Sequence, residues 1–143
     1  MESGCALIAA TVDADGAPHA SRGWGLDVLA EDRFRLLLDA DDDQAHANLA
    51  ANGAIAITAT HVPTLRSVQM KGNATAPQTG TDDDVLRMRR FCEQFFADVE
   101  ATDGIHPEMM ERLVPRAVMS YEVTTGAIFD QTPGPRAGSS LSA

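Results

Sequence analysis

From Ala6 to Leu38 the chain runs as three short apolar segments joined by turns too tight to hold a crossover helix. The first, Ala6-Leu7-Ile8-Ala9-Ala10-Thr11-Val12, leads into Asp13-Ala14-Asp15-Gly16, where the glycine supplies the positive φ of a tight hairpin. The chain returns from Pro18 to about Leu29, turns at Ala30-Glu31-Asp32-Arg33, and runs on through Phe34-Arg35-Leu36-Leu37-Leu38. Parallel neighbours need a long connection, so segments joined this closely pair antiparallel. The spacing predicts a meander.

Beyond Leu38 the period changes. Ala45, Leu49 and Asn52 recur at helical spacing over Asp41 to Asn52, aspartates open the first turn where the helix dipole favours them, and Gly53 stands at the stop. Ala54 to Thr60 reads as a fourth strand, buried on both faces, and His61 to Leu65 as a loop around Pro63. Arg66-Ser67-Val68-Gln69-Met70-Lys71-Gly72 alternates polar and apolar, as a half-buried strand does. Thr81 can cap a helix to about Ala101, with Asp84 three residues on. Val85, Met88, Cys92, Phe95, Phe96 and Val99 form that helix's apolar stripe, read as packing against a sheet. Pro107 starts one more short helix, ending before Pro115, and Ala117 to Phe129 supplies the last long strand. About six short antiparallel strands with few helices predict a mainly β (α+β) fold, a small barrel with peripheral helices. One domain over 1–132 and an extended tail over 133–143, rich in proline and glycine, account for all 143 residues.

Composition narrows the function classes. Eleven Lys and Arg against 21 Asp and Glu leave a net charge of −10, with Lys71 the only lysine. Such a surface repels phosphate backbones and anionic lipid heads, so nucleic-acid and membrane roles are not expected. No apolar run approaches the ~20 residues of a membrane-spanning helix. Met1-Glu2-Ser3-Gly4 lacks the basic start of a signal peptide, which points to the cytoplasm. Cys5 and Cys92 lie in apolar stretches outside any metal-ligand spacing and read as buried free thiols. His19, His46, His61 and His106 are scattered, and neither a nucleophile elbow nor a phosphate loop is present.

Four segments carry a resemblance. Ala9-Ala10-Thr11-Val12-Asp13-Ala14-Asp15-Gly16-Ala17-Pro18-His19 is similar to a T-x-d-x-d-G-x-P-h hairpin, and Asn48-Leu49-Ala50-Ala51-Asn52-Gly53-Ala54-Ile55-Ala56-Ile57 to an N-L-x-x-N-P-x-V-A-l step from helix to strand. Arg66 to Gly72 resembles an R-x-V-x-x-x-G strand, and Phe129-Asp130-Gln131-Thr132-Pro133-Gly134-Pro135 a closing segment. Together they resemble the FMN-binding split-barrel family, which includes pyridoxamine 5'-phosphate oxidase. The resemblance implies a six-stranded antiparallel split β-barrel, a homodimer, and FMN bound between the subunits for redox chemistry on a small-molecule substrate. It places the flavin ring near Ser21, Arg22, Gly23 and Trp24, with polar edge contacts from Ser67 and Gln69. Catalytic acids or bases are not assigned. Haem, with His19 or His61 as axial ligand, a deazaflavin, or a cofactor-free dimeric module are the alternatives.

One departure from the family stands out. Where its Ser/Thr and Arg/Lys phosphate clamp belongs, this chain has Asp39-Ala40-Asp41-Asp42-Asp43-Gln44-Ala45-His46. Carboxylates there oppose a dianionic phosphate, so Arg22, Arg66 or Lys71, or the helix N-terminus, must take it, or FMN is not retained. The run otherwise reads as a solvated helix start. A divalent cation on Asp39, Asp41 and Asp43 lacks the glycine and distal glutamate of a calcium loop. So few basic residues also leave little to grip the second phosphate of pyridoxamine 5'-phosphate. For the dimer, Ile55, Ile57, Val68 and Met70 are the expected apolar contact surface.

Overall fold

The tight turns produce the expected meander. In the computed structural model, which describes residues 4–141, strands β1 (Ala6–Val12), β2 (Pro18–Ala30) and β3 (Arg33–Asp39) pair antiparallel in succession. The first hairpin is closed by Asp13, whose carboxylate accepts the Asp15 and Ala17 amides. Helix α1 (Asp43–Asn52) follows and stops at Gly53, whose φ of 69° suits a residue without a Cβ. Strands β4 (Ala54–His61) and β5 (Arg66–Ala74) form the next hairpin, with β4 also lying along β1. After the two-residue strand β6 (Gln78–Thr79), helices α2 (Asp82–Asp103) and α3 (Pro107–Glu111) precede the long β7 (Val118–Asp130).

Strand β7 closes the barrel. Its first half pairs with β3 and its second half with β5, so the order β3-β2-β1-β4-β5-β7 returns to β3 as six antiparallel strands, with β6 added on β7. The two long strands, 13 residues each, can bend between neighbours because each contains a register shift against a partner. At the shift in β5, a Cβ on Gly72 would come within 2.0 Å of the Thr124 carbonyl oxygen, so only glycine fits. Leu7, Leu26, Leu36, Leu38, Ile57, Met70, Tyr121 and Val123 fill the interior. Helix α1 caps one end with Ala45 and Leu49. Outside the barrel, α2 lays Met88, Cys92, Phe95, Phe96 and Val99 on Trp24, Leu37 and Val118. Its start is the predicted capping box between Thr81 and Asp84.

Three expectations change. Ile55, Ile57 and Met70 do not form a contact surface for a second copy; they are 4%, 0% and 1% exposed inside the barrel, and Val68 packs partly against the same core. Strand β4 is not buried on both faces either, since Ala54, Ala56, Thr58 and Thr60 lie half-buried on its outer side. Both follow from one physical fact: strand parity decides the inward face, and a strand rich in alanine and threonine does not advertise which parity that is. Finally, the tail is not extended. It turns back on β7, with the Gly138 amide donating to the Asp130 carbonyl, the Leu141 amide to that of Ile128, and Ser140 bridging Phe129. Proline and glycine, read as openness, here supply turns.

Candidate functional site: the outer face of the sheet

Register places the outward side chains of five strands in rows. Arg22 pairs with Ile8, Ile8 with Thr58, Thr58 with Gln69, and Gln69 with Phe129. The adjacent row reads Ala20, Ala10, Ala56, Lys71 and Ala127. With strands ~4.8 Å apart, Arg22 and Gln69 lie about 14 Å from each other across Ile8 and Thr58, beside the alanine row. Ile8 and Val12 stand exposed on it at 41% and 36%. A shallow groove of 330 Å³ opens beside Ala10, Ala56 and Lys71. Gln69 donates to the Thr58 hydroxyl at 3.1 Å, which orients its amide along the sheet. Ser67 is held more tightly, between the Thr60 hydroxyl at 2.8 Å and the Leu65 carbonyl at 2.9 Å.

The expected site residues divide among four places. Arg22, Gln69 and Lys71 share the outer face, and Ser67, buried at its end, also lines the cleft that holds Arg66. The Arg22 guanidinium lies 5.7 Å from the Trp24 and Phe95 rings, and the Lys71 ammonium 5.1 Å from the Phe129 ring. Neither cation has a carboxylate within ion-pairing distance among the described residues. Trp24 is 5% exposed beneath α2, and its ring is committed to that helix. Ser21 and Gly23 face inward. A Cβ on Gly23 would meet Leu7 Cδ2 at 2.4 Å, so this glycine serves the core. Arg66, of opposite parity to Ser67, lines a separate cleft at the open end of the barrel.

The aspartate run is only partly a solvated helix start. Asp42 accepts the Ala45 amide as the N-cap of α1, the Ser21 hydroxyl at 2.5 Å, and His19 Nε2 at 2.9 Å. Burial pushes its carboxyl up, but the bonds from Ser21, the Ala45 amide and His19 outweigh this and hold it below the ordinary carboxylate value. Asp39 accepts the Asp41 amide, and its carbonyl accepts His46 Nε2, so the other ring nitrogen accepts the Tyr121 hydroxyl at 2.7 Å. These carboxylates are turned onto the protein's own donors. Among the described residues no group of three or more His, Cys, Asp or Glu converges as a metal ligand set would. His19 is engaged at Asp42, and His61 Nδ1 at the Thr64 hydroxyl.

Sequence reasoning overlooked Ile8, Ala56, Thr58 and Phe129, the neighbours that make the outer face continuous. Thr58 was findable: a four-residue connection between β4 and β5 sets it opposite Gln69.

Residues 4–128 match the family model described as pyridoxamine 5'-phosphate oxidase. The chain belongs to the pyridoxamine 5'-phosphate oxidase family. Solved structures with the same fold are distant in sequence. An F420 reductase aligns at a TM-score of 0.60 with 16% identity, covering 89% of this chain and 90% of its own. HupZ of Group A Streptococcus aligns at 0.56 with 19% identity, covering 94% and 90%. An FMN-binding protein of Syntrophomonas wolfei aligns at 0.54 with 11% identity, covering 89% and 77%. No curated protein matches the chain. These distant structures share the fold of the chain. No helix among the described residues is long and apolar enough to cross a membrane.

Proposed function

We propose that the protein is a cytoplasmic, homodimeric FMN-binding oxidoreductase acting on a small molecule, with the flavin on the outer sheet face. One observation carries this reading: a row floored by Ala20, Ala10 and Ala56 lies beside the row running from Arg22 through Thr58 to Gln69. A planar ring needs a floor without bulky side chains, a donor–acceptor edge, and a cation for its phosphate. Ala10 and Ala56 supply the floor, and the Gln69 amide supplies the edge. Arg22 takes the phosphate, having no ion-pair partner among the described residues. The family membership and the FMN-binding protein of the same fold support this cofactor. Two buried free cysteines suit a reducing compartment.

Bound FMN would supply the hydride chemistry. The chain's own residues orient the ring and exclude water, and a second copy over Ile8 and Val12 would close the face. FMN titration followed by the visible spectrum tests the assignment. Gln69→Ala should weaken binding by about 1–3 kcal/mol with little effect on folding. Arg22→Ala should cost at least as much, whereas Asp43→Asn should change almost nothing. Wild-type protein that ignores millimolar FMN would sink the flavin reading.

A further inference from the structure

The flavin reading makes no use of a second concavity. It has a volume of 850 Å³ at the open end of the barrel, opposite the end capped by α1. Cys5, Ala59 and Val68 give it apolar lining, and Arg66 and Arg136 both line it, one from β5 and one from the tail. The tail is held there by its own turns: the Ala137 amide donates to the Gly134 carbonyl and the Ser139 amide to the Arg136 carbonyl, while the Asp130 amide donates to the Ser139 carbonyl and locks the return onto β7.

The electrostatics of the cleft run against those of the molecule. The chain carries −10 overall, yet its tail beyond Asp130 contains one charged side chain, Arg136, delivered beside Arg66. Neither guanidinium has a carboxylate within ion-pairing distance among the described residues. The one acid among the lining residues, Asp130, accepts the Thr132 amide at 2.8 Å, and this bond together with the nearby Arg136 and Arg66 charges holds it below the ordinary carboxylate value, so two cations face one acid here. On the rim, His61 spends Nδ1 on the Thr64 hydroxyl, leaving Nε2 without a partner among the described residues. The loop carrying these groups holds Leu65 at a φ of 57°, a left-handed conformation costly for a branched side chain. The bond from Ser67 Oγ to the Leu65 carbonyl and that from the Ser67 amide to the Thr132 hydroxyl hold this loop against the tail.

We propose that this cleft binds a small organic acid, its carboxylate between Arg66 and Arg136 and its apolar body on Cys5, Ala59 and Val68. A guanidinium pair matches the planar, two-oxygen geometry of a carboxylate. The proposal does not rest on the flavin reading, and is tested without FMN.

The full chain, labelled for backbone amide NMR, is titrated with benzoate, with its uncharged isostere benzamide, and with inorganic phosphate. Benzoate should give saturable shifts at Arg66, Val68, Gln131 and Arg136 while Ala10 and Ala56 stay still. Benzamide and phosphate should each bind at least about tenfold more weakly, one lacking the charge and the other the apolar body. Arg66→Gln with Arg136→Gln should abolish saturation, with the remaining spectrum confirming an intact fold, and Arg89→Gln, at an exposed position of α2, should bind as wild type does. Absence of saturable shifts, equal binding of benzamide or phosphate, or full binding by the double variant would overturn the proposal.

Discussion

Asp42 is the residue on which the departure from the family turns. A carboxylate where a phosphate clamp belongs looks like a disabled site, but this one caps α1 and ties it to β2 through Ser21 and His19. Asp42→Ala should destabilise the fold by about 2 kcal/mol, from the lost cap and the stranded Ser21 hydroxyl, as read by urea unfolding. The carboxyl is held below its ordinary value of 3.8, so its contribution is fully present above that value and lost as pH falls through the lower folded one. The gap between wild type and Asp42→Ala should therefore be constant near neutrality and close in acid; a gap unchanged down to about pH 2 would exclude the linkage. The cysteines act in the opposite sense. Burial pushes both thiols up to about 11, so neither forms the thiolate that alkylates at pH near 8. Iodoacetamide followed by mass spectrometry should leave native protein unlabelled and label Cys5 and Cys92 together on unfolding. Rapid labelling of Cys5 alone would mean that the barrel mouth opens.

At the scale of elements, the β5–β7 contact is the tightest constraint on closure. Gly72 sits where β7 passes closest, and a Cβ there would overlap backbone that no rotamer change can move. Gly126 lies in β7 with nothing within 4 Å of its would-be Cβ. Gly72→Ala should cost about 3 kcal/mol or more, while Gly126→Ala should stay within about 0.5 kcal/mol of wild type. Comparable stabilities for the two variants would show that β7 is not held against β5 as described. The first hairpin and the capping box of α2 were legible because each is local. Asp13 and Gly16 close one within a few residues, and Thr81 and Asp84 open the other three residues apart.

At the scale of the molecule, the outer face leaves Ile8 and Val12 exposed on a flat alanine-rich sheet. Covering that surface is the physical reason to expect a symmetric pair of chains. Sedimentation velocity should find a dimer at micromolar concentration. Ala56→Arg, which places a charge at the centre of the face without touching the core, should give a folded monomer with weaker FMN binding. A wild-type monomer would remove both the dimer and a shared flavin site.

The sequence by itself determined the order of elements, the antiparallel pairing of neighbours, the helix starts and stops, and the family resemblance, because all of these rest on contacts a few residues apart. Only the tertiary structure decided which side of each strand is inside. Ile55, Ile57 and Met70 could have served a partner or the core, and closure through β7 put them in the core, leaving Ala56, Thr58 and Gln69 outside. It likewise sent Ser21 to Asp42 and Trp24 under α2, and folded the tail until Arg136 stood at the same cleft as Arg66. A period of two fixes two faces but does not name them. That choice belongs to the burial of apolar area summed over the closed barrel, which no single strand encodes.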